Sequence, residues 1–147
     1  MIRVAVDSDT PLVRDIVNES YRDYISRIGK KPGPMLDDYA ARIADGQVWV
    51  LDGPDGIVGI LVLEETVDGL LLDNIAMAPD QQGKGHGRVL LAFVEAEAIR
   101  RGWHEIRLYT HVLMTENIAL YGRIGYVETG RVTEKGFDRV YMTKHLP

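Results

Sequence analysis

Apolar and polar positions change period several times along this chain, and each change marks an element. Ile2-Arg3-Val4-Ala5-Val6 reads as a short first strand, after which Thr10-Pro11 supplies an N-cap and a first-turn proline. Leu12, Ile16 and Val17 then fall at i, i+4 and i+5, which predicts a helix running to about Ile25. Gly29-Lys30-Lys31-Pro32-Gly33-Pro34 breaks any regular element, and Met35 to Ala44 reads as a second helix ended near Gly46. From Val48 the pattern becomes that of strands: Val48 to Leu51, a turn at Asp52-Gly53-Pro54-Asp55-Gly56, Ile57 to Leu63, a turn at Val67-Asp68-Gly69, and Leu70 to Met77. Leu91, Val94 and Ala98 at i, i+3 and i+7 predict a helix that Gly102 ends. Glu105 to Thr110 alternates as a strand, Thr115-Glu116-Asn117 opens a short helix to about Ile124, and Tyr126 to Val132 and Arg139 to Thr143 close the chain as two strands. This order predicts a mixed α/β (α+β) domain around one central sheet.

Composition narrows the picture further. The 147 residues fit a single domain, placed at 1–147, and 46% hydrophobic with 27% charged residues is ordinary globular usage. With no cysteine there is no disulfide framework, thiolate zinc site or cysteine nucleophile, which fits a reducing compartment. The N-terminus meets acid at Asp7 before any long apolar core, against a signal peptide. The longest apolar run, Ile57 to Leu63 counting Gly59, is far short of the roughly 20 residues of a membrane helix. These features predict a cytoplasmic protein without a membrane partner. A net charge of −5, with no basic run longer than Lys30-Lys31 or Arg100-Arg101, makes nucleic acid a poor partner. His86, His104, His111 and His145 lack i, i+4 spacing, so no metal site is expected.

The segment richest in chemistry is Gln82-Gly83-Lys84-Gly85-His86-Gly87-Arg88, between a strand and an apolar helix. Successive glycines let backbone approach a ligand closely, and the N–H groups at a helix start are unpaired and lie at the positive end of its dipole. An anion cradle follows, to which Lys84 and Arg88 add positive charge. A phosphate-binding P-loop needs Lys followed by Ser or Thr, yet Gly85 follows Lys84. The spacing Gly83, Gly85, Gly87 also misses the dinucleotide fingerprint. The plain alternative is an exposed turn before an ordinary helix start.

Gln82-Gly83-Lys84-Gly85-His86-Gly87, after a strand ending in Ala76-Met77-Ala78-Pro79, resembles the signature of the GCN5-related N-acetyltransferases (GNAT). Downstream, Asn117-Ile118-Ala119-Leu120-Tyr121-Gly122-Arg123-Ile124-Gly125-Tyr126 is similar to that family's A-x-x-L-Y-x-x-x-G-F/Y segment, and Tyr141 to Leu146 resembles its closing strand. The resemblance spans the chain in element order, with its specific motifs in residues 70–126. It implies the GNAT fold, a central mostly antiparallel mixed sheet flanked by helices, and transfer of the acetyl group of acetyl-CoA directly to a primary amine of a small molecule or peptide. It also implies a homodimer. The alternative from another class is a non-catalytic acyl-CoA-binding sensor or scaffold.

The resemblance assigns residues as well. The pyrophosphate of acetyl-CoA is expected on the backbone of Gly83, Lys84, Gly85, His86, Gly87 and Arg88, with Gln82 leading in. The pantetheine arm is expected along Ile75, Ala76 and Met77, where strand 70–77 splays from strand 105–111 and N–H groups stabilise an oxyanion. Tyr121 matches the position that protonates the leaving thiolate; a core tyrosine is the alternative. Many members carry Asn seven residues before that Tyr, but Met114 stands there, and Asn117 is read either as its substitute or as a helix capper or first-turn residue. An amine of pKa near 10.4 is neutral only to the order of one part in a thousand at pH 7, so a base is needed. Strand alternation puts Asp73 on one face with Leu71, Ile75 and Met77, where a carboxylate implies a cavity or a water, and makes it the first candidate ahead of Glu64, Glu65 and His111. For the acceptor, Tyr21, Tyr24, Asp37, Asp38 and Tyr39 around the Gly29–Pro34 loop offer aromatic faces and carboxylates suited to an ammonium; ordinary packing is the alternative reading.

Overall fold

The computed structural model describes residues 1–147. Seven strands form one sheet: β1 (Ile2–Val4), β2 (Val48–Gly53), β3 (Gly56–Thr66), β4 (Gly69–Met77), β5 (Glu105–His111), β6 (Val127–Glu134) and β7 (Phe137–His145), in the order β1-β2-β3-β4-β5-β7-β6. Every neighbouring pair is antiparallel except β4 and β5. The helices are α1 (Thr10–Tyr21), α2 (Tyr24–Ile28), α3 (Tyr39–Ala44), α4 (His86–Arg100) and α5 (Thr115–Arg123). No helix is long and apolar enough to cross a membrane.

Each face of the sheet buries its own core. Leu90, Leu91, Val94 and Ala98 of α4 pack with Leu61, Leu63, Leu70, Leu72, Ile106 and Leu108 on one face. Val13, Ile16, Val17 and Tyr21 of α1, with Tyr39 and Ile43 of α3, pack with Val48, Val50, Ile60, Val62 and Ala76 on the other. Fully burying one such aliphatic side chain stabilises the fold by roughly 1.5–3 kcal/mol, so the alternation along β3 holds both layers. Glu97 is buried on α4 because Arg100 grips both of its oxygens at 2.6 and 2.7 Å and Arg101 adds a third contact at 2.8 Å. That pairing holds its pKa down at about 2.

The long first helix divides into two. The chain turns at Arg22 and Asp23, both exposed, so Tyr21 stays against the sheet while Tyr24 begins α2. The expected helix from Met35 is shorter as well. Gly33–Leu36 makes a 3-10 turn, and α3 starts only where the Asp38 side chain accepts the N–H of Ala41 at 3.1 Å.

Two irregularities in β4 shape everything that follows. Its register with β3 shifts between Val62↔Asn74 and Leu63↔Leu72, which leaves Asp73 as an extra, bulged residue. Its parallel pairing with β5 covers only Leu70↔Ile106, Leu71↔Arg107 and Leu72↔Leu108. Past Leu72 the strands part, while β5 remains paired to β7 as far as His111↔Arg139.

Candidate active site

The open half of β4 runs from Asp73 to Met77. Ala78 donates its N–H to Val58 of β3 at 2.9 Å, so by strand alternation Ala76 and Asn74 also face β3, and Ile75 and Met77 turn their backbone groups into the splay. Ser20 hydrogen-bonds the carbonyl of Met77, and the Tyr21 hydroxyl lies 3.2 Å from that of Ile75. The N–H groups of Ile75 and Met77 have no strand partner, because pairing with β5 ends at Leu72. Of the expected Ile75–Met77 contact, the side chain of Ala76 is buried against the α1 layer.

After Pro79 the chain enters the glycine segment. Gly83 (φ +78°) and Gly85 (φ +85°) adopt the left-handed conformation that favours glycine, and α4 begins at His86. None of the N–H groups from Gly83 to Arg88 meets a backbone acceptor. Gly87 has a different reason to be glycine. It sits in the first helical turn, where glycine costs about 1 kcal/mol against alanine, and a Cβ there would meet nothing within 4 Å. The protein leaves that space open, beside a row of free donors at a helix start, which suits a bulky phosphate-bearing ligand. Lys84 and Arg88 are exposed and take part in no ion pair. Gln82 is exposed, its amide 3.5 Å from the Met77 carbonyl.

Two cavities meet at the splay. The first, the larger, is a cleft between Ser20, Tyr21, Tyr24 and Arg27 on one side and Gly87, Leu91, Glu116 and Leu120 on the other, with Ile75–Met77 as its floor. The second lies under the Pro32–Pro34 loop and is walled by Asp73, Asn74, Tyr109, His111, Phe137 and Arg139. Tyr21, Ile75, Asn117 and Tyr121 line both. A group in one cavity can therefore reach a group in the other only past these four residues.

Tyr121 on α5 is 7% exposed, and no protein group hydrogen-bonds its hydroxyl. Burial pushes its phenol pKa well up, so it stays a proton donor across the neutral range. Asn117 is a first-turn residue of α5, whose N-cap is Met114. Met114 is buried, and its sulfur receives the Thr110 hydroxyl at 3.4 Å and the Asn117 amide at 3.7 Å.

Asp73 does not share a face with Ile75 and Met77. The bulge turns it to the α3 side with Asn74, where Arg42 Nη2 binds one oxygen at 3.1 Å and the Tyr109 hydroxyl donates to the other at 2.8 Å. It is the one carboxylate lining the second cavity. Burial raises its pKa, against the opposing pull of the Tyr109 hydrogen bond and the Arg42 charge. Glu64 shares Arg42 with it at 3.4 Å, and Glu65 lies on the opposite face, paired with Arg101. His111 lines the cavity, but its Nδ1 already accepts the Leu113 N–H at 3.1 Å and burial lowers its pKa. The neutral ring then carries its proton on Nε2 and has no free lone pair.

The aromatic residues near the loop separate into two groups. Tyr21 and Tyr24 line cavities. Tyr39 is buried and lines neither; its hydroxyl accepts from Asn74 Nδ2 at 3.0 Å and donates to the Pro34 carbonyl at 2.5 Å. Tyr21 completes the chain by donating to Asn74 Oδ1 at 2.7 Å, so three buried side chains fix the loop over the second cavity. Asp37 lies outside both cavities, bound to Arg42 Nε at 3.0 Å. Sequence reasoning missed Arg42, Asn74, Tyr109 and Arg139. A polar Asp-Asn pair inside an apolar strand was the local signal for Asn74; the other three lie on different elements and carried none.

A splayed parallel pair facing a glycine-rich helix start forms a cleft suited to an extended ligand that carries phosphate. Residues 44–128, more than half of the chain, match the acetyltransferase (GNAT) domain family. The chain belongs to that family, whose members take their acetyl group from acetyl-CoA. No curated protein matches it by sequence. Among solved structures it is similar to nourseothricin acetyltransferase, at 26% identity and a TM-score of 0.62 over 68% of this chain and 65% of that one. It therefore spans just under two thirds of that protein. The fold is also that of the PaiA N-acetyltransferase from Thermoplasma acidophilum, solved in complex with coenzyme A (18% identity, TM-score 0.81, 99% of this chain and 98% of that one). The ribosomal-protein-S18-alanine N-acetyltransferase from Escherichia coli shares it too (21%, TM-score 0.72, 99% and 93%).

Proposed function

We propose that the protein transfers the acetyl group of acetyl-CoA to a primary amine of a small molecule or peptide, by direct attack with both substrates bound. The observation that carries this reading is the meeting of two cavities at Tyr21, Ile75, Asn117 and Tyr121. Acetyl-CoA would supply the activated acetyl group from the larger cleft, and the amine would enter beneath the Pro32–Pro34 loop.

The chain's own residues then divide the work. The free N–H groups of Gly83–Arg88 bind phosphate oxygens, and the Ile75 and Met77 N–H groups donate to the oxygen on which negative charge develops. Asp73 takes the proton that the amine must lose; each of its oxygens holds one donor and keeps a lone pair free. Tyr121 donates its phenolic proton to the departing thiolate. Its lack of a protein partner leaves the hydroxyl available for that step. The same reading carries a homodimer in the cytoplasm, which light scattering of the purified protein and cell fractionation test.

The test is calorimetric titration with acetyl-CoA, CoA and ATP, followed by thiol release on a panel of polyamines, amino acids, aminoglycosides and peptides. Acetyl-CoA binding with thiol release on at least one amine is expected; binding without release on any amine overturns the reading. Gly85→Val, which forces a β-branched residue to φ +85°, should raise the acetyl-CoA Kd at least about tenfold.

A further inference from the structure

Arg139 has no part in the chemistry described so far, yet it lines the acceptor cavity with a side chain only 11% exposed. β7 places it opposite His111 of β5, and its guanidinium lies 4.1 Å over the ring of Tyr109 and 5.9 Å from that of Phe137. One arm is clamped: Nη1 donates at 2.9 Å to Glu134, which also receives the Tyr141 hydroxyl. The Tyr141 hydroxyl lies beside the same guanidinium, while Nε and Nη2, the two donors that form its side-on edge, make no hydrogen bond to any carboxylate or carbonyl. Asp73 forms no ion pair with it; the cation on Asp73 is Arg42.

The loop above respects that free edge. A Cβ on Gly33 would lie 3.6 Å from Nη2, so any larger side chain there would cover the donor. A nearly buried, stacked guanidinium that lines a cavity and keeps two parallel donors without a hydrogen bond matches one ligand chemistry, a planar anion that accepts both at once. The same cavity is also lined by Ile75, Asn117 and Tyr121, where the amine has to stand.

We infer that Arg139 is a specificity-determining residue and that the acceptor is a small amino carboxylate of the amino-acid class, its carboxylate held side-on by Nε and Nη2. The inference rests on the acyl-transfer reading and narrows the acceptor within it. A peptide N-terminus presents an amide where an amino acid presents a carboxylate, and so forfeits the contact.

The experiment compares L-amino acids with their amides and with the corresponding amines lacking the carboxyl group. Thiol release gives kcat and KM, and calorimetry on the CoA-bound protein gives acceptor affinity independently of turnover. The wild type is expected to favour acid over amide by at least about tenfold in kcat/KM, mainly through KM. Arg139→Lys, which keeps the charge but loses the fork, should cut that preference to about threefold or less, and Arg139→Met should bring it to about one. Acetyl-CoA affinity reports that each variant is folded. If Arg139→Met does not fold, Gly33→Val is the second probe, because covering Nη2 should lower the preference in the same direction. Equal use of acid and amide by the wild type, or a preference unchanged in a folded Arg139 variant, overturns the inference and leaves amine acetylation standing. Acetyl-CoA binding with no acetylation of any amine overturns the acyl-transfer reading itself, and this inference with it.

Discussion

The two halves of β4 differ in what surrounds their backbone. From Leu70 to Leu72 the strand is paired on both sides, to β3 and β5, and Leu70 and Leu72 are sunk in the α4 core. Past the bulged Asp73, from Asn74 to Met77, it is paired to β3 alone, and its other edge opens onto two cavities. The change falls at the bulge. One extra residue switches the side-chain phase, sends Asp73 and Asn74 together to the α3 side, and coincides with the parting of β4 from β5. The first half therefore answers to packing, and the second to chemistry.

The sharpest way to break that contrast is to damage each half and ask which property fails. Leu72 is 2% exposed, and Leu72→Ala should lower unfolding stability by about 3 kcal/mol in chemical denaturation, with kcat of the folded fraction little changed. Asp73→Asn, one residue on, should do the reverse. We expect kcat/KM at neutral pH to fall by about a hundredfold, equivalent to about 2.7 kcal/mol, with the acid limb of the pH–rate profile abolished. An acid limb that persists unmoved would remove Asp73 from amine deprotonation.

The same carboxyl carries a stability signature of definite sign. Its pKa is raised in the fold, so its contribution is full below the ordinary value of 3.8 and declines as pH rises through the folded value. Asp73→Asn should flatten that part of the stability–pH curve. The smallest effect is expected at Tyr121, outside β4 but facing its open half. Tyr121→Phe should lower kcat by about tenfold, or about 1.4 kcal/mol, with acetyl-CoA affinity near normal, because a thiolate leaves tolerably well without help.

How much of this could be read from the chain depended on whether the determinant was local. The glycine cradle was legible because positive φ at Gly83 and Gly85 and a helix start at His86 are set by a few adjacent residues. The strand succession was legible for the same reason, whereas the splay between residues 70–77 and 105–111 was expected only from the family resemblance. The face of Asp73 was not. A bulge belongs to the pairing of two strands, and alternation read along one strand carries Asp73 to the wrong side. Arg42, Tyr109 and Arg139 come from α3, β5 and β7, far apart in sequence, and only the folded sheet brings them to one cavity. The break in the first helix was hidden too, since Arg22 and Asp23 are as compatible with a continuing helix as with a turn.

The short parallel junction has a mechanical consequence. Three residue pairs are all that stitch the panel β1–β4 to the panel β5–β7–β6. α4 packs across both β4 and β5 from one face, while on the other face α1 packs on β3 and β4. The molecule is thus two stiff leaves on a narrow seam, splinted by α4 and bridged by side-chain contacts such as Tyr109–Asp73. Anything lying between the leaves supplies the rungs the seam lacks, so occupancy of the cleft and resistance to its opening become the same quantity.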